Sequence, residues 1–310
     1  MARVIVTGGA GFIGSHVADA FLARDDDVLV VDDLSTGQKA NVPEGAAFEQ
    51  LDIADGELLE KAFADGADIV CHLAAQASVT VSVEDPILDC TSNVLGTLNV
   101  CEAARQRGAP VVFASTGGAL YGDGAPLPTP ESFAPQPLSP YGASKLAGEA
   151  YVATWGRLYG LPNVVLRLGN IYGPRQNPHG EAGVVAIFSG RLLAGEQPHL
   201  RGDGKPTRDY VYVSDVASAF VAAADGGRAG TYNVGTGRQT STARLLQVLQ
   251  EAVGTSIEPL PTELQAGELQ ASALDASAIE RELGWRPTVE VEQGLRQTLD
   301  WYRPGAGRLR

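Results

Sequence analysis

Only three cysteines occur in 310 residues, Cys71, Cys90 and Cys101, with no C-x-x-C pair among them. That excludes a disulfide framework and a cysteine zinc site. The four histidines, His16, His72, His179 and His199, are scattered, so no metal is expected. Long hydrophobic runs are also missing. The apolar stretch Val4-Ile5-Val6 stops at Thr7 and a group of glycines, leaving no signal peptide and no membrane span, and a cytoplasmic chain is expected. Positive charge is scarce, with 23 Lys and Arg against 37 Asp and Glu, a net charge of −14. Long-range repulsion then disfavours nucleic acid or an anionic membrane as a partner. An anionic ligand would need a local pocket of cations or backbone amides.

The chain is long enough for one large domain or two modest ones. A β-branched run, Val4-Ile5-Val6, precedes Thr7-Gly8-Gly9-Ala10-Gly11-Phe12-Ile13-Gly14 and then a stretch from Ser15 to Ala23 with helical apolar spacing. Glycines at 8, 11 and 14 permit a tight turn, close approach of a pyrophosphate and close helix packing. The free N–H groups at the helix start then hold the phosphates. A second strand, Val28 to Val31, ends in Asp32 and Asp33. A carboxylate there accepts hydrogen bonds from ribose hydroxyls and repels a 2′-phosphate, which favours NAD over NADP. Strand and helix patterns go on alternating: a strand at 47–51, a short helix at 57–63, a strand at 68–73 running into small residues, one long helix over 86–107, and a strand at 110–114. That alternation predicts an open parallel sheet with right-handed crossovers.

The last of these strands ends in Ser115-Thr116-Gly117-Gly118, at the sheet edge where such folds bind ligands. Ser139-Pro140-Tyr141-Gly142-Ala143-Ser144-Lys145 then places a phenol and an ammonium four residues apart at the start of a helix, on one face. A neighbouring cation is expected to pull the phenol's pKa down from about 10. Tyr141 and Lys145 could then exchange protons with an alcohol, and a hydroxyl from Ser115 or Thr116 could share the proton.

Gly8-x-x-Gly11-x-x-Gly14, Asp32, Ser115-Thr116, Tyr141-x-x-x-Lys145 and Arg167-Leu168-Gly169-Asn170-Ile171-Tyr172-Gly173-Pro174-Arg175 together resemble the extended short-chain dehydrogenase/reductase superfamily, and within it the UDP-glucose 4-epimerases. The resemblance implies a Rossmann-type doubly wound α/β fold with a smaller, partly interleaved C-terminal α/β lobe. It implies an isomerase in which Tyr141 is the acid/base, Lys145 tunes it and holds the nicotinamide ribose, and Thr116 or Ser115 supplies the hydroxyl. It further assigns NAD contacts to Gly8, Gly11, Phe12, Ile13, Gly14, Asp32, Asp33, Leu34, Ser35, Thr36, Gly37, Asp52, Ile53, Leu73, Ala74, Ala75, Gln76 and Asn93, besides Tyr141 and Lys145. Substrate contacts fall on Asn170, Arg175, Arg208, Glu268 and Ser272. The substrate implied is a UDP-hexose oxidised transiently to a 4-keto sugar, and the assembly implied is a homodimer through the helices near 86–107 and 141–158.

On this reading residues 1–168 form the NAD-binding domain, segments near 206–235 return to it, and 169–310 are mainly a substrate lobe. The chain departs from the resembled pattern at five positions. Leu168 replaces a tyrosine common beside the nicotinamide. Gln265, Ala266 and Glu268 stand where arginine, proline and aspartate are usual. Loss of that arginine removes a charged contact with the diphosphate, about 1.5–3 kcal/mol or roughly tenfold to a hundredfold in affinity. Ser272 stands where a bulky residue can restrict the sugar pocket, so a 2-acetamido sugar should fit. Related dehydratases and decarboxylases look for an acid just after the Ser/Thr, and Gly117-Gly118 offer none. A non-catalytic NAD sensor on the same fold is the rival from another class.

Overall fold

The computed structural model describes residues 1–178, 183–263 and 269–303. The chain begins β1 (Arg3–Thr7), α1 (Phe12–Leu22), β2 (Asp27–Asp32), β3 (Ala47–Gln50), α2 (Gly56–Ala62) and β4 (Ile69–His72). It continues through α3 (Val79–Glu84), α4 (Pro86–Cys90), a π turn (Thr91–Leu95), α5 (Gly96–Gln106), β5 (Val111–Thr116) and α6 (Pro140–Tyr159). Next come β6 (Val164–Leu168), β7 (Asn170–Tyr172), α7 (Val184–Leu193), β8 (His199–Arg201), β9 (Thr207–Arg208), β10 (Tyr210–Tyr212) and α8 (Val213–Asp225). The last elements are β11 (Gly230–Val234), β12 (Thr240–Ser241), α9 (Thr242–Val253), β13 (Leu260–Thr262), α10 (Ser277–Leu283) and α11 (Val291–Tyr302).

Seven strands form one sheet in the order β11-β6-β5-β4-β1-β2-β3, every pair parallel. Its inner strands are mostly apolar on both faces because helices cover both. One core joins Val4, Val6, Val30 and Leu166 to Phe21 of α1 and Phe220 of α8, and the other joins Ile5, Val31 and Phe113 to Leu59 of α2 and Val100 of α5. Strand order reverses between β1, which is followed outward by β2, and β4, which leads to β5. Ligands of open parallel sheets bind at that reversal, outside the carboxyl ends of the strands. A third core, built on Tyr172, Tyr210 and Tyr212 with Leu245, Leu249, Leu295 and Leu299, belongs to the C-terminal elements α7, α9 and α11.

Two local expectations need correction. The long helix predicted over 86–107 is broken by a π turn at Thr91–Leu95. Widening the turn frees the Asn93 carbonyl, which accepts the Thr97 hydroxyl at 2.6 Å, and π turns of this kind recur at functional sites. The sequence offers Ser214 or Asp215 as the cap of a helix over 216–224; α8 instead starts at Val213 with no side-chain cap. Asp215 instead accepts hydrogen bonds from Thr288 N and Oγ1 and from Val289 N, tying α8 to the chain's last segment.

Candidate active site

At the glycine turn, Gly8 has φ 73°, a left-handed conformation that costs glycine little. A Cβ on Gly14 would lie 2.1 Å from the Gly8 carbonyl oxygen, so α1 can start against the turn only with glycine there. The helix begins at Gly11 with no side-chain cap and no acid in its first turn, leaving its N–H groups and positive end to an anion. Asp32 closes the far side. Its oxygens accept from Ala10 N at 3.0 Å and Leu34 N at 2.9 Å, and each keeps a lone pair for a ribose hydroxyl. Burial raises its pKa against those bonds. Leu34 is left-handed at φ 63°, which turns Asp33 outward to hold Ser35. A Cβ on Gly37 would meet the Asp32 carboxylate at 2.6 Å. These residues fit the adenosine end of a dinucleotide.

The remaining cofactor assignments divide between the groove and its support. Phe12 packs edge-on against His16, and Ile13 packs on the core. Asp52 caps its own turn at Ala54 N, and Ile53 is buried under Gly96. Leu73 and Ala74 follow β4 and bond back to Thr7, bringing their backbone to within 2.8 Å of a Cβ on Gly8. Gln76 is clamped from behind. Asn93 accepts from its N–H and donates to its carbonyl, both at 2.9 Å, and the Gln76 amide donates to Asp89 at 2.9 Å. Asn93 is buried, and what the structure shows it holding is the loop after β4. His72 joins the same network between Thr7 Oγ1 at 2.7 Å and Thr97 Oγ1 at 2.9 Å. Thr97 spends its hydrogen on Asn93, so Nε2 of His72 donates and Nδ1 accepts. Burial above all, with Lys145's charge next, holds that imidazole neutral, its pKa down at about 3.

Helix α6 brings the reactive pair to the edge of β5. Ser139 caps it, accepting from Gly142 N at 3.2 Å, and Pro140 sits at the first helical position. Gly148 lets the helix lie on Phe113, where a Cβ would come within 2.8 Å of the ring. Lys145 is buried beneath. Its ammonium donates to the Ala114 carbonyl at 3.1 Å and lies 4.9 Å from the centre of the Phe113 ring. The Tyr141 phenol hydrogen-bonds the Thr116 hydroxyl. Thr116 Oγ1 also accepts Ala119 N at 3.2 Å. Ser115 points to the other face of the strand and donates to Glu149 at 2.5 Å. Thr116, and not Ser115, meets the phenol.

The electrostatics differ from the expectation of a lowered phenol pKa. Burial pushes Tyr141 up to about 12, with the Asp89 carboxylate adding to the rise and the Thr116 bond opposing it. Burial likewise lowers Lys145 to about 8, against the pull of Asp89 and Glu149. The sequence shows the cation at i+4 but not the desolvation of both groups, and desolvation is the larger effect.

Beyond Thr116 a cavity is lined by Gly117, Tyr121, Thr129, Gln270, Ser272 and Leu274, among others. Ser272 N bonds the Thr207 carbonyl at 3.1 Å, and Arg208 is the next residue of β9. Arg208 donates one N–H to Thr207 O. Asn170 leaves a buried Oδ1 without a hydrogen-bond partner among the described residues, 3.5 Å from where a Cβ on Gly118 would stand. Arg175 does not line this cavity; it pairs with Asp19 of α1 at 2.7 Å. Leu168 ends β6 and lies in the core. Glu268, Gln265 and Ala266 fall outside the described residues. Three buried acids had no part in the sequence reading. Asp89 is one. Asp209 is another, accepting from Thr236, Gly237 and Leu274 and so tying loops at the cavity together. Glu149, paired with Arg167 at 2.7 Å, is the third. A sequence signal exists for the last alone, since Glu149 continues the Tyr141-Lys145 face at i+4.

Known proteins resemble this chain over nearly its whole length. Residues 4–235 match the model of the NAD dependent epimerase/dehydratase family. The UDP-glucose 4-epimerase of Mycolicibacterium smegmatis is 44% identical over 97% of this chain and 98% of its own. The crystal structure of UDP-glucose 4-epimerase from Thermotoga maritima with UDP-glucose superposes with a TM-score of 0.95 at 44% identity, covering 97% of this chain and 98% of that one. The enzyme from Thermus thermophilus, a UDP-glucose 4-epimerase in complex with NAD, gives 0.90 at 49% identity, covering 96% and 98%.

Proposed function

The chain belongs to the NAD dependent epimerase/dehydratase family, and on that premise we propose that it interconverts UDP-glucose and UDP-galactose by inverting C4 of the hexose. The observation that carries this is the Tyr141–Thr116 bond over a buried Lys145, set between the glycine turn and the cavity and followed by two glycines in place of an acid. NAD, which the glycine turn and Asp32 would hold, would supply the hydride acceptor and donor for C4. Tyr141 takes the 4-OH proton as a phenolate and gives it back, Thr116 steadies the phenol oxygen, and Lys145 supplies the positive field that a buried phenolate needs. Arg208 and the unsatisfied Asn170 Oδ1 face the diphosphate and sugar. Gly117 and Gly118 have no side chain to deprotonate C5, so elimination is disfavoured and the 4-keto sugar can only turn and be reduced again.

The assay mixes purified protein with UDP-galactose or UDP-GlcNAc, without added NAD, and follows each sugar by NMR. Both should convert, because Ser272 leaves room for the acetamido group. Turnover of UDP-galactose with none of UDP-GlcNAc removes the second substrate, and no turnover of either removes the epimerase reading.

We divide the chain at about residue 168, with β11 returning to the sheet, and take it to be a cytoplasmic homodimer. The exposed apolar side chains of α3 to α6 support the dimer: Val83, Ile87, Leu88, Leu95, Tyr151 and Leu158 all lie on the outside. Large contiguous apolar surface is rare on monomers, and a second copy of the same face covers it isologously. Three free cysteines agree with a reducing compartment, and among the described residues no helix is long and apolar enough to cross a membrane. Replacing Ile87 and Leu158 together with arginine should halve the mass measured by sedimentation; a wild-type chain that sediments as a monomer contradicts the dimer.

A further inference from the structure

Asp89 is almost wholly buried, 1% exposed, yet it has no place in the proton transfer described above. It lies in α4, which packs on α6. Its Oδ1 accepts from the Gln76 amide at 2.9 Å and the Asn93 amide at 3.0 Å. Asn93 also reaches Ser144 Oγ at 3.1 Å, and Ser144 donates to the Tyr141 carbonyl at 3.0 Å. The carboxylate is therefore linked through two side chains to the first turn of α6. Neutral donors satisfy it without neutralising it. A bare charge in that position is costly, and a leucine or asparagine would pack at lower cost, so its presence calls for a role.

We propose that Asp89 is a positioning residue for the proton-transfer pair: its charge, fixed by Gln76 and Asn93, sets the proton affinity of Tyr141 and keeps Lys145 an ammonium. This rests on Tyr141 being the acid/base. The other charged groups around α6 do not fill the position. On α3 and at the start of α4, Glu84 and Asp85 are exposed, as is Cys90. On α5, Glu102 and Arg105 pair with each other. From β6, Arg167 takes up Glu149, and His72 on β4 is held neutral. Arg157, Tyr151 and Tyr159 occupy the exposed far end of α6.

The sign follows from the charge. An anion beside a phenol opposes its ionisation and raises its pKa, and beside an ammonium it also raises the pKa; Asp89 acts in both directions here. Removing it lowers both. The active pair, a phenolate beside an ammonium, is populated mainly between the two pKa values, so both limbs of the profile move the same way when both values fall.

Asp89→Asn keeps an oxygen to accept from Gln76 and Asn93 and removes only the charge. In the purified NAD-loaded protein, its pH profile for kcat should move toward acid by on the order of one unit. The Tyr141 phenol, followed by NMR of 13Cζ-labelled tyrosine and assigned with Tyr141→Phe, should move equally. Exposed Glu84→Gln should move neither. A uniform fall in kcat at every pH, with the phenol titration unmoved, means a structural role only and overturns the proposal. If Asp89→Asn does not fold, Asp89→Ser carries the same test. If neither folds, Asp89 is a stability residue and the proposal falls. A wild type without epimerase activity would sink the reading of the site, whereas the phenol titration would still report on Asp89.

Discussion

Replacing Tyr141 with phenylalanine should lower kcat by about 10²–10⁴-fold while the protein keeps its fold and its NAD. Phenylalanine removes one hydroxyl, whose hydrogen bond runs to Thr116, and fills the same volume. Loss of such a bond costs roughly 1 kcal/mol of stability, little beside the loss of proton transfer. KM for the UDP-sugar should change much less than kcat, because the substitution removes the group that takes the 4-OH proton and leaves the rest of the cavity unchanged. Stopped-flow or NMR turnover, with absorbance of released cofactor after denaturation, checks both halves. Turnover within tenfold of wild type would move the acid/base role off Tyr141. Loss of NAD along with activity would make the phenol a cofactor anchor.

The nucleotide half was legible in the sequence because its constraints are local. Gly11 and Gly14 are required by close contact with the Gly8 backbone a few residues earlier, Gly8 by its own left-handed turn, and Asp32 by the end of the next strand. The Tyr141-Lys145 spacing likewise follows from a single helix turn. Burial of that pair was not legible, since it depends on Phe113, Ala114 and α4 arriving from elsewhere in the chain, and with it the sign of the phenol's shift was lost. Asn93 could be named from resemblance, but its task of clamping Gln76 required the π turn, which no periodicity of Ile87, Val94, Leu98 and Cys101 reveals. Arg175 shows the reverse case: the resemblance implies a substrate contact there, and in the fold its guanidinium pairs with Asp19 of α1. Asp215 reads as a cap residue, and it instead serves backbone N–H groups dozens of positions away.

The second large effect should come from the buried pair behind the site. Arg167 reaches Glu149 through Nε and Nη2, at 3.0 and 2.7 Å, and the Tyr121 hydroxyl through Nη1 at 3.0 Å. Ser115 donates to the same Glu149. Glu149→Gln leaves the guanidinium buried without its anion, and breaking one side of such a pair costs about 3–5 kcal/mol, a large share of a typical domain's 5–15 kcal/mol. Urea unfolding should show the loss. The double change Glu149→Leu with Arg167→Met removes both charges and should recover most of the stability, since apolar replacements of buried ion pairs are often neutral or better. Catalysis should not recover with it. Ser115 would have lost its acceptor, the end of β5 its tether, and Thr116 its fixed position under the phenol. A double variant that is stable yet slow separates the two roles, because a pair that served stability alone would return kcat together with the unfolding midpoint.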